Sequence, residues 1–289
     1  MGPPPHVSLP PPAPAARQAT RQATRQAARN HVRRFASILN DVKPFLLLAT
    51  RPEDEAADDE YAGFLAAGGL TPARLHRVRL DAGPMPDIRL PDYAGIIVGG
   101  SPFNAGDDEV LKSPLQRRVE AELAPLLDRV LAADYPFLGA CYGIGLLTAH
   151  LRGVVDGRYG EEAGPTRVTL TTAGEADPLF GQLQSQFTAF VGHKEACRVL
   201  PAGAVLLAAG PTCPVQAFRV GSNVYATQFH PELTRESIVT RLRIYRNNGY
   251  FHPDRFGDVM AAIGSSRVSE PAKLVSAFVH RFGGTILEP

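Results

Sequence analysis

The chain has 289 residues, 44% of them hydrophobic and 20% charged, enough to bury a sizeable core in one large domain or two small ones. A net charge of +1 excludes a global field for nucleic acid or anionic lipid, and no apolar run approaches the ~20 residues that cross a bilayer. The cysteines, Cys141, Cys197 and Cys213, are odd in number and form no CxxC pair. That pattern argues against a disulfide framework or a zinc knuckle and for a reducing, cytoplasmic setting.

In chain order, residues 1–41 stand apart. MGPPPHVSLPPPAPAA is rich in Pro and Ala, and the short repeat RQATRQATRQAAR runs from Arg17 to Arg29. It has no apolar h-region, so it is not a secretory signal. Its Arg-rich, acid-free composition is that of some organellar transit peptides. A simpler reading is a disordered leader that cannot bury enough apolar surface to offset its ordering entropy. A mis-called start is another, because VKPFLLLAT opens the first strand at Val42. Fold reasoning therefore covers 42–289, taken as a single domain.

FLLLA at 45–49 is a continuous apolar run and reads as a strand buried on both faces. RPEDEAADDEYAGFLAAGG places acids early and Tyr61, Phe64 and Leu65 at helical spacing, with Gly68–Gly69 as the stop. RLHRVRL (74–80) alternates as a strand, and AGIIV precedes a Gly-rich break. Pro114 opens a helix whose Leu115, Val119, Leu123, Leu126, Leu127 and Val130 share one face. PFLGA is a strand and GIGLLTAHL a helix. This alternation predicts an α/β fold, a three-layer sandwich with a mostly parallel central sheet. Later runs, GPTRVTLTT, QFTAFVGH, AVLLAAG, PVQAFRV and SNVYATQFH, predict further strands, some antiparallel. A helix follows Pro231, and Asp254 to Phe282 holds one or two more as a C-terminal extension.

Three motifs carry chemistry. G-A-C-Y-G at 139–143 has the form of a nucleophile elbow. Small flanking residues let strand and helix approach, and the helix N-terminus favours a thiolate at Cys141. A buried structural cysteine is the alternative reading of this motif alone. In YATQFHPEL, His230 can serve as the base and Glu232 as its orienting acceptor, since residues two apart in an extended segment point to one side. Alone, His-Pro-Glu also reads as an ordinary strand-to-helix junction. IIVGGSPFN ends an apolar run in Gly-Gly-Ser-Pro. Such a turn can supply one backbone N–H to an oxyanion, and Tyr142, the residue after the nucleophile, another. Taken by itself it is also a plain turn.

In this order and spacing, Ser101, Cys141 and His230–Glu232 resemble the class I glutamine amidotransferases, over roughly residues 45–250. Within that family it is similar to the glutaminase half of GMP synthase. The resemblance implies a flavodoxin-like fold and a Cys141–His230–Glu232 triad. It implies an oxyanion site from the N–H groups of Ser101 and Tyr142, with Gly100 admitting the chain. GHKE resembles the segment lining the glutamine pocket, which makes Gly192 and His193 candidate substrate contacts; His193 alone also reads as a surface histidine near a turn. No metal or organic cofactor is needed for glutamine hydrolysis. The substrate would be glutamine or another γ-glutamyl small molecule.

One departure matters. The family reads C-x-G-x-Q, whereas this chain has Gly145 at the last position. The loss of that amide predicts weaker affinity for free glutamine, or a different γ-glutamyl substrate with a larger group in the vacated space. The chain contains no P-loop and no Ser-Gly-Gly-x-Asp-Ser loop. The first reading is therefore a glutaminase serving a separate synthetase subunit. The others are a stand-alone γ-glutamyl hydrolase or peptidase, and a non-catalytic binding module on the same scaffold. Cys197 and Cys213 lack an elbow and read as structural thiols. The acidic 107–109 stretch reads as a solvated loop or helix start, and no histidine spacing suggests a metal.

Overall fold

The structure, a computed structural model, describes residues 43–284 and Gly2. The expected leader, residues 1–41, otherwise lies outside the described residues. Strand β1 (Phe45–Ala49) is buried along its whole length. Helix α1 (Asp54–Gly68) follows it and ends where Gly69 adopts φ 60°, a left-handed cap whose N–H faces the carbonyls of Leu65 and Ala66. Strands β2 (Leu75–Arg79) and β3 (Gly95–Val98) both pair with β1 in parallel. Helix α2 (Pro114–Ala132) starts at Ser113, whose side chain accepts the Gln116 N–H, and it runs through Pro125 without breaking. Strand β4 (Phe137–Ala140) leads directly into helix α3 (Tyr142–His150).

The second half is strand-rich. It contains β5 (Val154–Asp156), β6 (Glu161–Leu170), the single-turn α4 (Thr172–Glu175), β7 (Gln186–His193), β8 (Ala196–Val199), β9 (Val205–Ala209), β10 (Ala217–Val220) and β11 (Val224–Thr227). Helices α5 (Arg235–Ile244), α6 (Phe256–Ser265) and α7 (Glu270–Phe282) close it. The main sheet has nine strands in the order β2-β1-β3-β4-β11-β10-β9-β6-β7. The first five are parallel and the rest antiparallel. The parallel part has the flavodoxin-like order, with β11 as its fifth strand. A separate ribbon pairs β5 with β8; the sequence did not reveal it, because the strands are short and only partly buried.

Alternation along β1 explains its unbroken apolar run. Phe45 and Leu47 pack with Phe64 of α1 and Leu274 and Phe278 of α7. Leu46 and Leu48 face the other side, with Val119, Leu123 and Leu127 of α2 and Ile144 and Leu147 of α3. Both faces are therefore covered, as parallel sheets require. A third cluster joins Phe190 of β7 to Ile238 and Leu242 of α5, Phe251, and Val259 and Ile263 of α6. It holds the C-terminal segment over the carboxyl ends of the parallel strands, where open α/β sheets bind ligands.

Candidate active site

Cys141 occupies the turn between β4 and α3 with φ 53° and ψ −93°, a conformation a non-glycine residue rarely adopts. Its N–H donates to the carbonyl of Thr227 at 2.8 Å, tying the turn to β11. Close approach requires a glycine at 139 and leaves little room at 143. A Cβ on Gly139 would lie 2.8 Å from the Gly143 carbonyl carbon, and one on Gly143 would lie 3.1 Å from the Val98 carbonyl oxygen. The G-A-C-Y-G pattern is thus the imprint of a helix pressed onto strand ends, with the sulfur projected at the edge of a cavity.

His230 follows β11, and its N–H donates to the Phe190 carbonyl at 3.0 Å. Its Nδ1 lies 2.9 Å from Glu232 Oε1, and its ring lines the same cavity as Cys141. Both residues are buried. Burial opposes protonation of His230, but the charges of Glu232 and Cys141 and hydrogen bonds to both outweigh it and lift the imidazole to about 9. Burial alone would raise the Glu232 carboxyl; the charges of His230 and Arg241 win and hold it well below the usual carboxylate range. Helix α5 begins only at Arg235, capped by Thr234, so Glu232 is not a first-turn helical acid.

Behind this pair lies a buried charge network that the sequence did not disclose. Arg241 of α5 places Nη1 3.0 Å from Glu232 Oε1 and 3.2 Å from His230 Nδ1. Its Nε lies 3.5 Å from Asp59 and its Nη2 3.9 Å from Glu60. Glu60 of α1 is fully buried; its Oε1 accepts Arg51 Nε at 3.1 Å and the Gly100 N–H at 3.0 Å. Arg51 in turn donates to the Tyr245 hydroxyl at 3.3 Å, which donates to Glu53 at 2.7 Å. These residues are scattered over 190 positions, and Asp59 and Glu60 stand in an acidic run of α1 that also holds the first-turn acids Asp54 and Glu55. Only the missing apolar residue at the buried Glu60 position could have signalled a partner.

The same network fixes the turn after β3. A Cβ on Gly100 would meet Arg51 Nη2 at 2.4 Å and His230 Cε1 at 2.7 Å, so glycine is required by close approach. Ser101 is buried, and its hydroxyl accepts the Phe103 N–H at 3.2 Å. Tyr142 opens α3, so its N–H has no intrahelical acceptor. Ser101, Cys141, Gly192 and Tyr250 line both of two narrow adjoining cavities, of about 40 and 20 Å³. The larger also reaches Arg51, His230, Arg241 and Tyr245; the smaller reaches Tyr142, Gly145, His193 and Glu195. Every candidate named from the sequence except Gly100 and Glu232, which sit directly behind it, thus borders this divided space.

The structure corrects the reading of Gly145. The place where a side chain would begin is already tight. A Cβ there would lie 3.2 Å from Glu195 Oε1 and 3.3 Å from Ala105 Cβ. Glu195 accepts the N–H groups of Ala105 at 2.6 Å and Gly106 at 2.8 Å. Burial pushes its carboxyl up to about 7, despite those two bonds, and Asp107 and Glu120 add to the rise. His193 is buried, not a surface histidine; its Nδ1 lies 2.8 Å from the Glu195 carbonyl and its Nε2 3.1 Å from Glu161 Oε2.

A family model, "Glutamine amidotransferase class-I", matches residues 70–242. The chain belongs to the class I glutamine amidotransferase family. It is 28% identical over 186 residues to the "GMP synthase [glutamine-hydrolyzing]" of Porphyromonas gingivalis, covering 64% of this chain and 31% of that protein. To the "GMP synthase [glutamine-hydrolyzing]" of Acetivibrio thermocellus it is 35% identical over 148 residues, covering 50% of this chain and 26% of that protein. The chain thus spans under a third of either relative's length. Its fold is similar to a glutamine amidotransferase from Thermotoga maritima (TM-score 0.64, 17% identity, covering 84% of this chain and 99% of that one).

As a class I amidotransferase, the chain draws part of its site from outside the matched residues. Arg51 and Glu60 precede them, and Tyr245 and Tyr250 follow. One further grouping combines metal-ligating types: Glu161, His193 and Cys213 bring ligand atoms within 4.8 Å of one another. Those atoms are engaged in the protein. Glu161 accepts Thr166 at 2.9 Å, Gln216 at 2.6 Å and the hydroxyl of Thr212, while the Cys213 thiol faces the Val215 carbonyl at 3.4 Å and is pushed up to about 12 by burial. Cys197 is likewise buried. The 107–109 stretch is a turn-rich loop before α2, where Glu109 pairs with Lys112 at 2.8 Å. Among the described residues no helix is long and apolar enough to cross a membrane.

Proposed function

We propose that this chain hydrolyses the side-chain amide of glutamine to glutamate and ammonia through a cysteinyl thioester. The observation that carries the reading is the convergence of three sequence-distant motifs: the strained Cys141 turn, the His230–Glu232 pair at 2.9 Å, and the Gly100–Ser101 turn. Cys141 Sγ attacks the amide carbon as His230 takes the thiol proton. The carbonyl oxygen, now negative, receives the N–H groups of Ser101 and Tyr142. Collapse of this intermediate breaks the C–N bond; His230 protonates the departing nitrogen, and ammonia leaves. Water then attacks the thioester, again losing its proton to His230, and returns the thiol and glutamate. Glu232 orients the ring and favours its charged form throughout. No step calls on a cofactor.

The relatives' names, GMP synthases, support a synthetase as the user of the ammonia, read here as a separate subunit, while the +1 net charge and the three widely spaced cysteines support a cytoplasmic location with no nucleic-acid or membrane partner. The test is ammonia release from L-glutamine by the purified chain, with mass spectrometry after treatment with a glutamine-mimicking chloroketone. The expected result is one adduct, on Cys141, formed much more slowly in His230→Ala. No ammonia from glutamine, but turnover of γ-glutamyl amines or peptides, would favour the γ-glutamyl hydrolase reading. An unreactive Cys141 and no turnover of either class would leave the binding-module reading.

A further inference from the structure

Resting on the thioester chemistry above, we propose that Glu60 is a positioning residue for the oxyanion site. It pins the Gly100 peptide, so that the Ser101 N–H is the donor of that turn left for the substrate. The other N–H groups of the turn are all taken. Gly99 donates to the Leu48 carbonyl of β1 at 3.2 Å, and Gly100 donates to Glu60 Oε1 at 3.0 Å. Pro102 has no N–H, and Phe103 donates to the Ser101 hydroxyl at 3.2 Å. Among the described residues the Ser101 N–H meets no protein acceptor. Ser101 is buried and lines both cavities beside Cys141. A buried backbone donor without a partner is costly, so its place here points to an acceptor that arrives with the substrate.

The parts that hold the turn this way come from α1 and from the end of β1. Glu60 is fully buried, and its carboxylate lies across the turn. A Cβ on Gly99 would run into that carboxylate, as one on Gly100 would run into the Arg51 guanidinium paired with it. Gly-Gly at 99–100 is thus the imprint of the Glu60–Arg51 pair. The Thr50 hydroxyl donates to the Gly100 carbonyl at 3.4 Å, a longer bond. In a trans peptide the C=O and the next N–H point opposite ways. Holding the Gly100 carbonyl at Thr50 therefore turns the Ser101 N–H away from Thr50. Arg241 lies 3.9 Å from Glu60 and 3.0 Å from Glu232. One buried network thus reaches both the oxyanion donor and the proton acceptor. Thr50 and Glu60 lie outside residues 70–242, which match the family model.

The test separates the reach of Glu60 from its charge, in the full chain. The aldehyde 5-oxopentanoate takes the Cys141 sulfur at its carbonyl carbon; the C=O π bond breaks, the thiol proton passes to His230, and the oxygen becomes an oxyanion. The matching amide, 4-carbamoylbutanoate (glutamine without its amino group), reads binding. Both are titrated as protectants of Cys141 against iodoacetamide, whose displacement reaction needs no oxyanion donor. Protection needs no turnover, so ammonia release by wild type decides the hydrolysis reading separately. Wild type is expected to need about 10²-fold less aldehyde than amide, the lower end for a transition-state analogue. Glu60→Asp keeps the charge but draws the carboxylate back by about 1.5 Å. It should lose about ten-fold or more of the aldehyde's advantage, with the amide's half-protecting concentration changed by less than about three-fold. Glu60→Gln keeps the reach, and because Arg51 and Gly100 are both donors its carbonyl takes the Oε1 place. It should keep the advantage within about three-fold. If Glu60→Asp does not fold, Thr50→Val takes its place, with a loss of about three-fold or more that Thr50→Ser recovers. An advantage below about ten-fold in wild type overturns the proposal. So does an unchanged advantage in Glu60→Asp or its substitute, an equal loss for both probes there, or a loss in Glu60→Gln as large as in Glu60→Asp.

Discussion

Glu232 and Glu195 both flank Cys141, and their surroundings treat them oppositely. Glu232 is met by His230 at 2.9 Å and Arg241 at 3.0 Å, two cationic partners within its own network. Its negative charge is secured whatever enters the cavity. Glu195 is met by two backbone N–H groups and by further acids, so burial dominates and its carboxyl rises to about 7. One wall of the site is thus electrostatically complete and the other is short of a positive charge. Fixed catalytic groups require the first arrangement, because their charge state must not depend on the ligand. A substrate contact is better served by the second, where the ligand itself completes the pair. Partners, not residue type or burial alone, divide the two roles.

The sharpest way to break the complete wall is at its centre. Cys141→Ala should lower ammonia release from glutamine at least 10³-fold, since removing the nucleophile of a triad leaves only residual catalysis; an assay retaining a tenth of the rate would dismiss the thioester route. Glu232→Gln should cost about 10²–10⁴-fold in kcat with KM changed little, as expected when the group orienting a catalytic histidine is lost. A rate within three-fold of wild type would mean that Arg241 and the fold alone orient His230. Arg241→Met removes one buried cationic partner of Glu232, leaving Glu232 to His230 and Glu60 to Arg51, and should destabilise the chain by about 3–5 kcal/mol in urea unfolding, with Arg241→Lys recovering part. A loss below about 1 kcal/mol would demote the network to an ordinary surface-like ion pair. On the other wall, Gly145→Gln restores the family's residue but drives it into Glu195 and Ala105. We expect no gain in glutamine turnover and about 1–3 kcal/mol lower stability from overpacking.

The legible parts were those whose chemistry is local in sequence. Strands β1, β3 and β4 announce themselves as apolar runs because both faces are buried, and Gly69 and Pro114 mark helix ends by their backbone properties. The elbow is readable because close strand–helix contact demands glycine at 139 and favours it at 143. His230 and Glu232 are readable because they are two residues apart. Arg241, Glu60 and Arg51 were not, since a charged residue on a helix looks alike whether it faces water or a buried partner. Glu195 was passed over within GHKE for the same reason, and Gly145 was read as a hole because nothing in the sequence says that residue 195 fills it. The β5–β8 ribbon is too short and too exposed to show a period.

The smallest effects lie in pH, and they separate the two walls by sign. His230 is raised from its ordinary 6.5 to about 9, so the folded chain keeps a proton that the unfolded chain releases. Its contribution to stability is complete below about 6.5 and is lost as pH rises through about 9, with Glu232 sharing the titration because the two are in contact. The unfolding midpoint of wild type should therefore fall between pH 7 and 10 more steeply than that of His230→Gln. Glu195 works the other way on binding. Its carboxyl is protonated below about 7 and charged above it, so a cationic amino group is held better as pH rises. Protection of Cys141 by glutamine, relative to 4-carbamoylbutanoate, should strengthen by less than about ten-fold between pH 6 and 8. Lys194 and His193, which line the same cavity, and Asp107 and Glu120, whose charges act on Glu195, remain in Glu195→Gln, so a trend that survives in that variant belongs to one of them and not to Glu195.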